Sequence, residues 1–508
     1  VRLAVEDRFL YEPKEVGHAE HLLEHGRQRL DALVQGHRGP HLVCETARPA
    51  GRPRLAVGGF RSRIDGSIQP YGLVLPADFE PSDTRPHRLD VWLHGRGEKI
   101  GEVQFLQQRL TTVGAIAPPG TVVLHPFGRY CNAFKFAGEI DVLEAIAHVK
   151  TLLPIDDDRI VIRGFSMGGA GCWQFAVHYP GTWLAATPGA GFSETTEFLR
   201  VFQQEDFNPD EPLRSLLHWY DCPDWANNLR NLPTIAYSGE LDRQKQAADV
   251  MEAACKAREF TIPHVVGPQT AHVIHPGSLA EVEAFVAARA ERGRPATPAE
   301  IDFTTYTLRY PTHTWLTIEG LGEHWREARV RAHAKPPASI EISTTNVTGL
   351  RIDIPRDSRL LRFDEAIDVR IDGATITVPP TTGDRWRAGF ILEGGRWRPH
   401  DSDARDGETL RKRPGLQGPI DDAFMAAFVF VGPEETGGGP PAVEAWAKEE
   451  YARATREWRR HFRGEVVERR PADVTAEDIA DRNLILFGTV QSNPCLLYTS
   501  DAADDTPC

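Results

Sequence analysis

The chain has 508 residues, 41% of them hydrophobic, with 11 Trp and 23 Phe, and a formal charge of -14. That length suffices for roughly three domains, each with a core of its own. An acidic balance without a basic stripe argues against a nucleic-acid or anionic-membrane partner, and no uninterrupted apolar run approaches the ~18 residues of a transmembrane helix.

Residues 16 to 34 predict an amphipathic helix with Val16, Ala19, Leu23, Leu30 and Leu33 on one face. His18, His21 and His25 stand on it at i, i+3, i+7. On a mostly polar helix they read as a solvated face, and no metal site is expected. The Pro/Gly-rich "ETARPAGRP" closes an N-terminal region of residues 1–60. The chain starts at Val1 and not Met, so an exported protein lacking its signal is the expectation, a cytoplasmic one the alternative.

Next comes a hairpin, "AVGGFRSRIDGSIQPYGLVLP", turning at Asp65-Gly66. From there to about residue 290 strands and helices alternate, the strands being "RLDVWLH", "TVVLH", "RIVIRGF", "LAATPGAG", "LPTIAYS" and "FTIPHVV". This alternation predicts an α/β domain over 61–295, a mostly parallel sheet with helices on both faces. The stretch 192–231 lacks a clean period and carries Trp219, Tyr220 and Trp225. It is either a cap over the C-terminal edge of the sheet or a surface loop packing its own aromatics.

After the linker "RGRPATPAE" the strands turn short, alternating and β-branched: "TTYTLRY", "WLTI", "SIEIST", "LRIDI" and "AIDVRIDGATITV". They predict a β-sandwich-like module over 300–400. Residues 401–494, with "AFVFV", a strong helix and "NLILFG", read as the start of an incomplete α/β segment. "CLLYTSDAADD" looks like a translated sequencing-library adapter, so 495–508 are set aside. The remaining cysteines, Cys44, Cys131, Cys172, Cys222 and Cys255, are scattered and show no Cys-x-x-Cys pair. They read as small buried hydrophobes, with one bridge among them left open.

The chemistry centres on "VIRGFSMGGAG", residues 161 to 171. Gly164 and Gly168 bracket Ser166 in a Gly-x-Ser-x-Gly pattern between a predicted strand and a predicted helix, the context of a nucleophile elbow. A serine hydroxyl needs a general base, and that base needs a carboxylate to fix its tautomer. Both follow in the expected order, each after a later strand: Asp242 in "LPTIAYSGELD", with Glu240 in reserve, and His272 in "FTIPHVVGPQTAH". His275 competes with His272 but stands at the entry of the next helix. Developing negative charge on the substrate oxygen calls for backbone N–H donors. Met167 supplies one, and the Gly95 or Arg96 amide of "LHGRGE" the other.

"LHGRGE", "GRYCNAFKFAGEIDVLEAI", "IDDDRIVIRGFSMGGAG", "YSGELD" and "TAHVIHP" make residues 60 to 290 resemble the catalytic domain of the prolyl oligopeptidase (S9-like) group of the α/β-hydrolase superfamily, bacterial members in particular. The resemblance implies a serine peptidase or esterase without metal or organic cofactor. Its catalytic roles fall on Ser166, Asp242 and His272, with Met167 and Gly95/Arg96 as the oxyanion site. Residues 1–60 leave no room for the β-propeller that precedes this domain in established members, which favours a second reading, a carboxylesterase on plant or polymer esters. A non-catalytic binding protein on a hydrolase fold is the third.

Overall fold

In the computed structural model, which describes residues 1–36, 51–80, 84–401, 411–434 and 438–497, the amino end forms α1 (Arg2–Glu6) and α2 (Lys14–Val34). The predicted helix is present, but a different line of it faces inward. Ala19 and Leu22 pack on Ala4 and Val103, whereas Val16, Leu23, Leu30 and Leu33 are each more than half exposed. The Glu15 carboxylate accepts the Tyr11 N–H at 2.8 Å. That bond turns the line of residues 15, 19 and 22 toward the protein and the line through residue 16 away from it. Cys44 lies outside the described residues.

Asp65-Gly66 forms the expected corner, with Gly66 at φ +74°, between antiparallel β1 (Arg54–Arg61) and β2 (Ile68–Leu75). Alternating elements follow: β3 (His87–Leu93), α3 (Glu102–Thr111), β4 (Thr121–Pro126), α4 (Ala137–Leu152), β5 (Ile155–Phe165), α5 (Met167–His178) and β6 (Ala185–Gly189). Then come α6 (Thr196–Phe198), α7 (Glu211–Leu217), β7 (Ala236–Gly239), α8 (Gln246–Ala257), β8 (His264–Gly267) and α9 (Pro276–Ala290). Two units result, one from Val1–His87, Arg96–Ile155 and the chain from Gly418 on, the other from Arg88–Gly95 and Asp156–Gln417. The first holds strands in the order β1-β2-β4, the second β3-β5-β6-β7-β8. β5 to β8 pair in parallel. The α/β class read from the sequence is the observed one.

β5 is held firmly. Val161 packs on Leu184, Ala185 and Val286, and the buried Arg163 guanidinium reaches Asp90 of β3 at 2.7 Å and Glu283 of α9. A buried guanidinium left unpaired costs about 3–5 kcal/mol, so these partners fix the strand that leads to Ser166.

The second unit also holds two five-stranded sheets. Their strands are β9 (Glu300–Thr305), β10 (Thr312–His313), β11 (Leu316–Leu321), β12 (Ala328–Lys335), β13 (Ser339–Thr345), β14 (Val347–Pro355), β15 (Ile367–Ile371), β16 (Ala374–Val378), β17 (Arg385–Glu393) and β18 (Arg396–His400). The orders are β10-β11-β14-β17-β18 and β16-β15-β13-β12-β9. All their pairings are antiparallel except β13 with β15. Both sheets feed one core, with Phe303, Val330 and Ile340 from one and Ile352, Trp386 and Phe390 from the other. "TTYTLRY" departs from expectation: β9 stops at Thr305, whose hydroxyl donates to Thr307 O at 2.7 Å, a local side-chain turn that ends the ladder.

The final segment forms β19 (Phe428–Val431), α10 (Pro441–Phe462), β20 (Glu468–Arg469), α11 (Ala476–Asp481) and β21 (Asn483–Leu486), the strands being parallel in the order β20-β19-β21. Its Phe428, Phe430 and Trp458 pack with Ile64 and Ala137. Cys495 is buried against Val429 and Val431. No disulfide occurs among the described residues, and no helix among them is long and apolar enough to cross a membrane.

Candidate active site

Ser166 follows the last residue of β5 and caps α5 with φ +61° and ψ -124°, a conformation that a residue with a Cβ rarely adopts and that must be held by its surroundings. Its N–H donates to Gly189 O at 2.9 Å, and its carbonyl accepts from Ala170 N at 3.1 Å. The glycines beside it answer to space. A Cβ on Gly164 would stand 2.1 Å from Gly168 O, and one on Gly168 2.0 Å from Leu93 O. The His94-Gly95 loop therefore runs directly against the elbow, and a Cβ on Gly95 would lie 3.7 Å from that of Ser166. Met167 begins α5, where backbone N–H groups are not used within the helix.

Asp242 follows β7 and His272 follows β8. The imidazole Nδ1 lies 2.7 Å from Asp242 Oδ2, while Asp242 Oδ1 accepts the Gln244 N–H at 2.9 Å. Asp242 is buried and the His272 side chain is 41% exposed, so the carboxylate is rigid and the far side of the ring is accessible. The two loops are stitched together, Leu241 N donating to Thr270 O at 2.9 Å. A Cβ on Gly239 would meet Ala271 O at 2.2 Å. In a neutral ring, an Nδ1–H directed at this carboxylate puts the lone pair on Nε2, the tautomer a general base requires.

Among the described residues no hydrogen bond joins Ser166 to His272. The His272 ring instead lies 4.8 Å from that of Phe165, the residue immediately before Ser166. The remaining candidates have other partners. Glu240 accepts from Gln269 N at 2.7 Å and Gln269 Nε2 at 3.1 Å. His275 caps α9, its Nδ1 accepting the Ser278 N–H at 3.3 Å. The Arg96 guanidinium pairs with Glu98.

Three contributors carried no motif. Gln244 accepts the Gly191 N–H at 3.0 Å behind the elbow. Tyr237 donates to Val273 O and accepts from His275 N, both at 2.8 Å, bracing the histidine loop. The stretch 192–231 divides in two. Phe192, Phe198 and Phe202 stack in sequence at 4.6 and 4.9 Å, with the Arg243 guanidinium 5.2 Å from the Phe202 ring, next to Asp242. Trp219 and Trp225 turn instead to the sandwich, Trp219 Nε1 donating to Tyr310 OH at 3.0 Å. Asn228 pairs with both backbone groups of Thr304, at 2.8 and 2.9 Å, covering the exposed edge of β9.

Among the described residues, Asp249, Glu252 and His264 bring potential metal-ligand atoms within 4.8 Å of one another. They also satisfy one another: His264 Nδ1 lies 3.1 Å from Glu252 and Nε2 3.1 Å from Ser238 Oγ, and Lys245 pairs with Asp249.

No family model and no curated protein matches the chain. Among solved structures, a puromycin-hydrolyzing peptidase of Mycobacterium tuberculosis is 16% identical with a TM-score of 0.37, over 49% of this chain and 40% of that one. An S-formylglutathione hydrolase from Agrobacterium tumefaciens is 15% identical with a TM-score of 0.36, over 49% and 98%. A ferulic acid esterase is 15% identical with a TM-score of 0.35, over 47% and 98%.

Proposed function

We propose that the protein is a serine hydrolase that cleaves a peptide or ester bond through an acyl-enzyme. Ser166 Oγ attacks the carbonyl carbon while His272 Nε2 takes its proton. The same imidazole returns that proton to the leaving nitrogen or oxygen as its bond to the carbonyl carbon breaks. Water, deprotonated by His272, then attacks the acyl carbon, and the proton passes from His272 to Ser166 Oγ as the acyl–Oγ bond breaks and the acid leaves. Asp242 holds the ring and stabilises the imidazolium. The Met167 amide, with that of Gly95 or Arg96, meets the oxyanion. The observation that carries this reading is that a chain with a strained, glycine-enclosed Ser166 after β5 also holds, after β8, a histidine whose Nδ1 lies 2.7 Å from a buried carboxylate. The reaction requires Ser166 Oγ and His272 Nε2 to come within hydrogen-bonding distance when substrate binds, a tightening common at such sites.

Labelling by a fluorophosphonate probe tests the reading. The native chain is expected to label and folded Ser166→Ala not to; a native chain that folds and stays unlabelled indicates a binding protein. The peptidase reading and the carboxylesterase reading share every residue above. Short acyl esters assayed beside Xaa-Pro and Ala peptides rank them.

A further inference from the structure

A cavity of about 840 Å³ opens in the second unit between the α/β elements and the sandwich. Its α/β wall is Pro180 and Gly181 beyond α5, Arg230 and Asn231 ahead of β7, and Arg294 beyond α9. These positions precede β6 and β7 or follow a helix, whereas Ser166, Asp242 and His272 follow the C-terminal ends of β5, β7 and β8. The cavity is thus at the opposite end of the strands from the candidate active site, and it has no part in the reaction proposed above.

Four arginines, Arg230, Arg294, Arg331 and Arg370, line it beside three carboxylates, Glu300, Asp302 and Glu341, in a chain whose net charge is -14. Two of these carboxylates are shared among several cations: Asp302 serves Arg329 at 2.6 Å, Arg331 at 3.5 Å and Arg230 at 4.0 Å. Glu341 serves both Lys335 and Arg370, the latter at 3.5 Å. Two buried nitrogens on the lining are also unmatched. His313 is 2% exposed, and although its Nδ1 lies 3.2 Å from Thr314 Oγ1, its Nε2 has no hydrogen-bond partner among the described residues. Arg294 binds Asp158 through Nη2 at 2.9 Å, yet its Nε is likewise unpartnered. Unsatisfied buried polar groups are costly, and guanidinium forks are matched to carboxylate and phosphate oxygens.

We propose that this cavity binds a small organic anion carrying two or more carboxylate or phosphate groups, with Arg294, Arg331 and Arg370 as the principal contacts. Nothing in its lining selects between the two kinds of oxygen, so both belong in the test.

Calorimetric titration of the full chain with citrate and, separately, pyrophosphate at low ionic strength provides it. Arg331 and Arg370 are 61% and 54% exposed, so Arg331→Gln/Arg370→Gln leaves the core intact. Saturable binding of either anion, weakened at least tenfold in that double variant, reduced by added salt and unchanged in Ser166→Ala, is the expected result. Citrate alone would assign a carboxylate ligand and pyrophosphate alone a phosphate ligand. Binding of neither anion, or binding unaltered in the double variant, overturns the proposal.

Discussion

Ser166, Asp242 and His272 are marked in the sequence by residue type joined to position, a serine enclosed by glycines after a strand, then a carboxylate and an imidazole after later strands, and the structure brings the last two within 2.7 Å. What the sequence left open was which of two neighbours faces which partner. Glu240 and Asp242 are two residues apart, and only the observed hydrogen bonds separate them, Glu240 being used by Gln269 and Asp242 by His272. His272 and His275 divide in the same way, since a cap on Ser278 N is a structural task. His272→Ala is therefore expected to lower kcat by about 10⁴-fold or more. His275→Ala should leave kcat within a few-fold and cost about 1 kcal/mol of stability, the usual worth of a helix cap. Hydrolysis rates and urea midpoints of the two variants check this; equal losses of activity would contradict it.

Among the elements, most strands were found where their pattern put them, but β7 and β8 begin only at Ala236 and His264, four residues into "LPTIAYS" and "FTIPHVV" and beyond a proline in each, and elsewhere one local hydrogen bond outweighed the pattern. α2 is rotated by the Glu15–Tyr11 contact, and β9 is cut short by the Thr305 hydroxyl, which frees Tyr306 and Tyr310 to meet Trp219 and Trp225. His313 on β10 gives the sandwich a pH response. Burial, assisted by nearby Arg294, pushes its imidazole down to about 4 from an ordinary 6.5. With the folded value below the unfolded one, this residue's contribution is complete above about pH 6.5 and is lost as pH falls toward 4. At ~1.4 kcal/mol per unit the loss is about 3 kcal/mol. His313→Gln, which does not titrate, should show a smaller drop in urea midpoint between pH 7.5 and 4.5, followed by tryptophan fluorescence. A drop equal to that of the native chain would refute the assignment.

At the scale of the whole molecule the sequence showed a succession of modules, whereas the chain leaves its first unit and returns to it from Gly418. No periodicity announces such a return; it depends on single long-range contacts. The Arg129 guanidinium grips the buried Asp65 carboxylate at 2.9 and 3.0 Å, and Trp458 Nε1 donates to the same carboxylate at 2.9 Å. Burial opposes ionisation of Asp65, but Arg129, Ser67 and Trp458 outweigh it and hold the carboxyl below its usual range. Asp65→Asn would keep the shape but remove the carboxylate that Arg129 grips, leaving it only Asp141 at 3.8 Å, at a cost of up to about 3–5 kcal/mol. Limited proteolysis should then cut within α10 first, while Ser166 labelling, in the other unit, declines later.

Trp458 stands 393 positions beyond Asp65. At the roughly 5–20 residues added per second during synthesis, about 20–80 s separate the emergence of the carboxylate from that of the indole that covers it. The nascent chain therefore completes its second unit, ending at Gln417, while the first still awaits its closing segment.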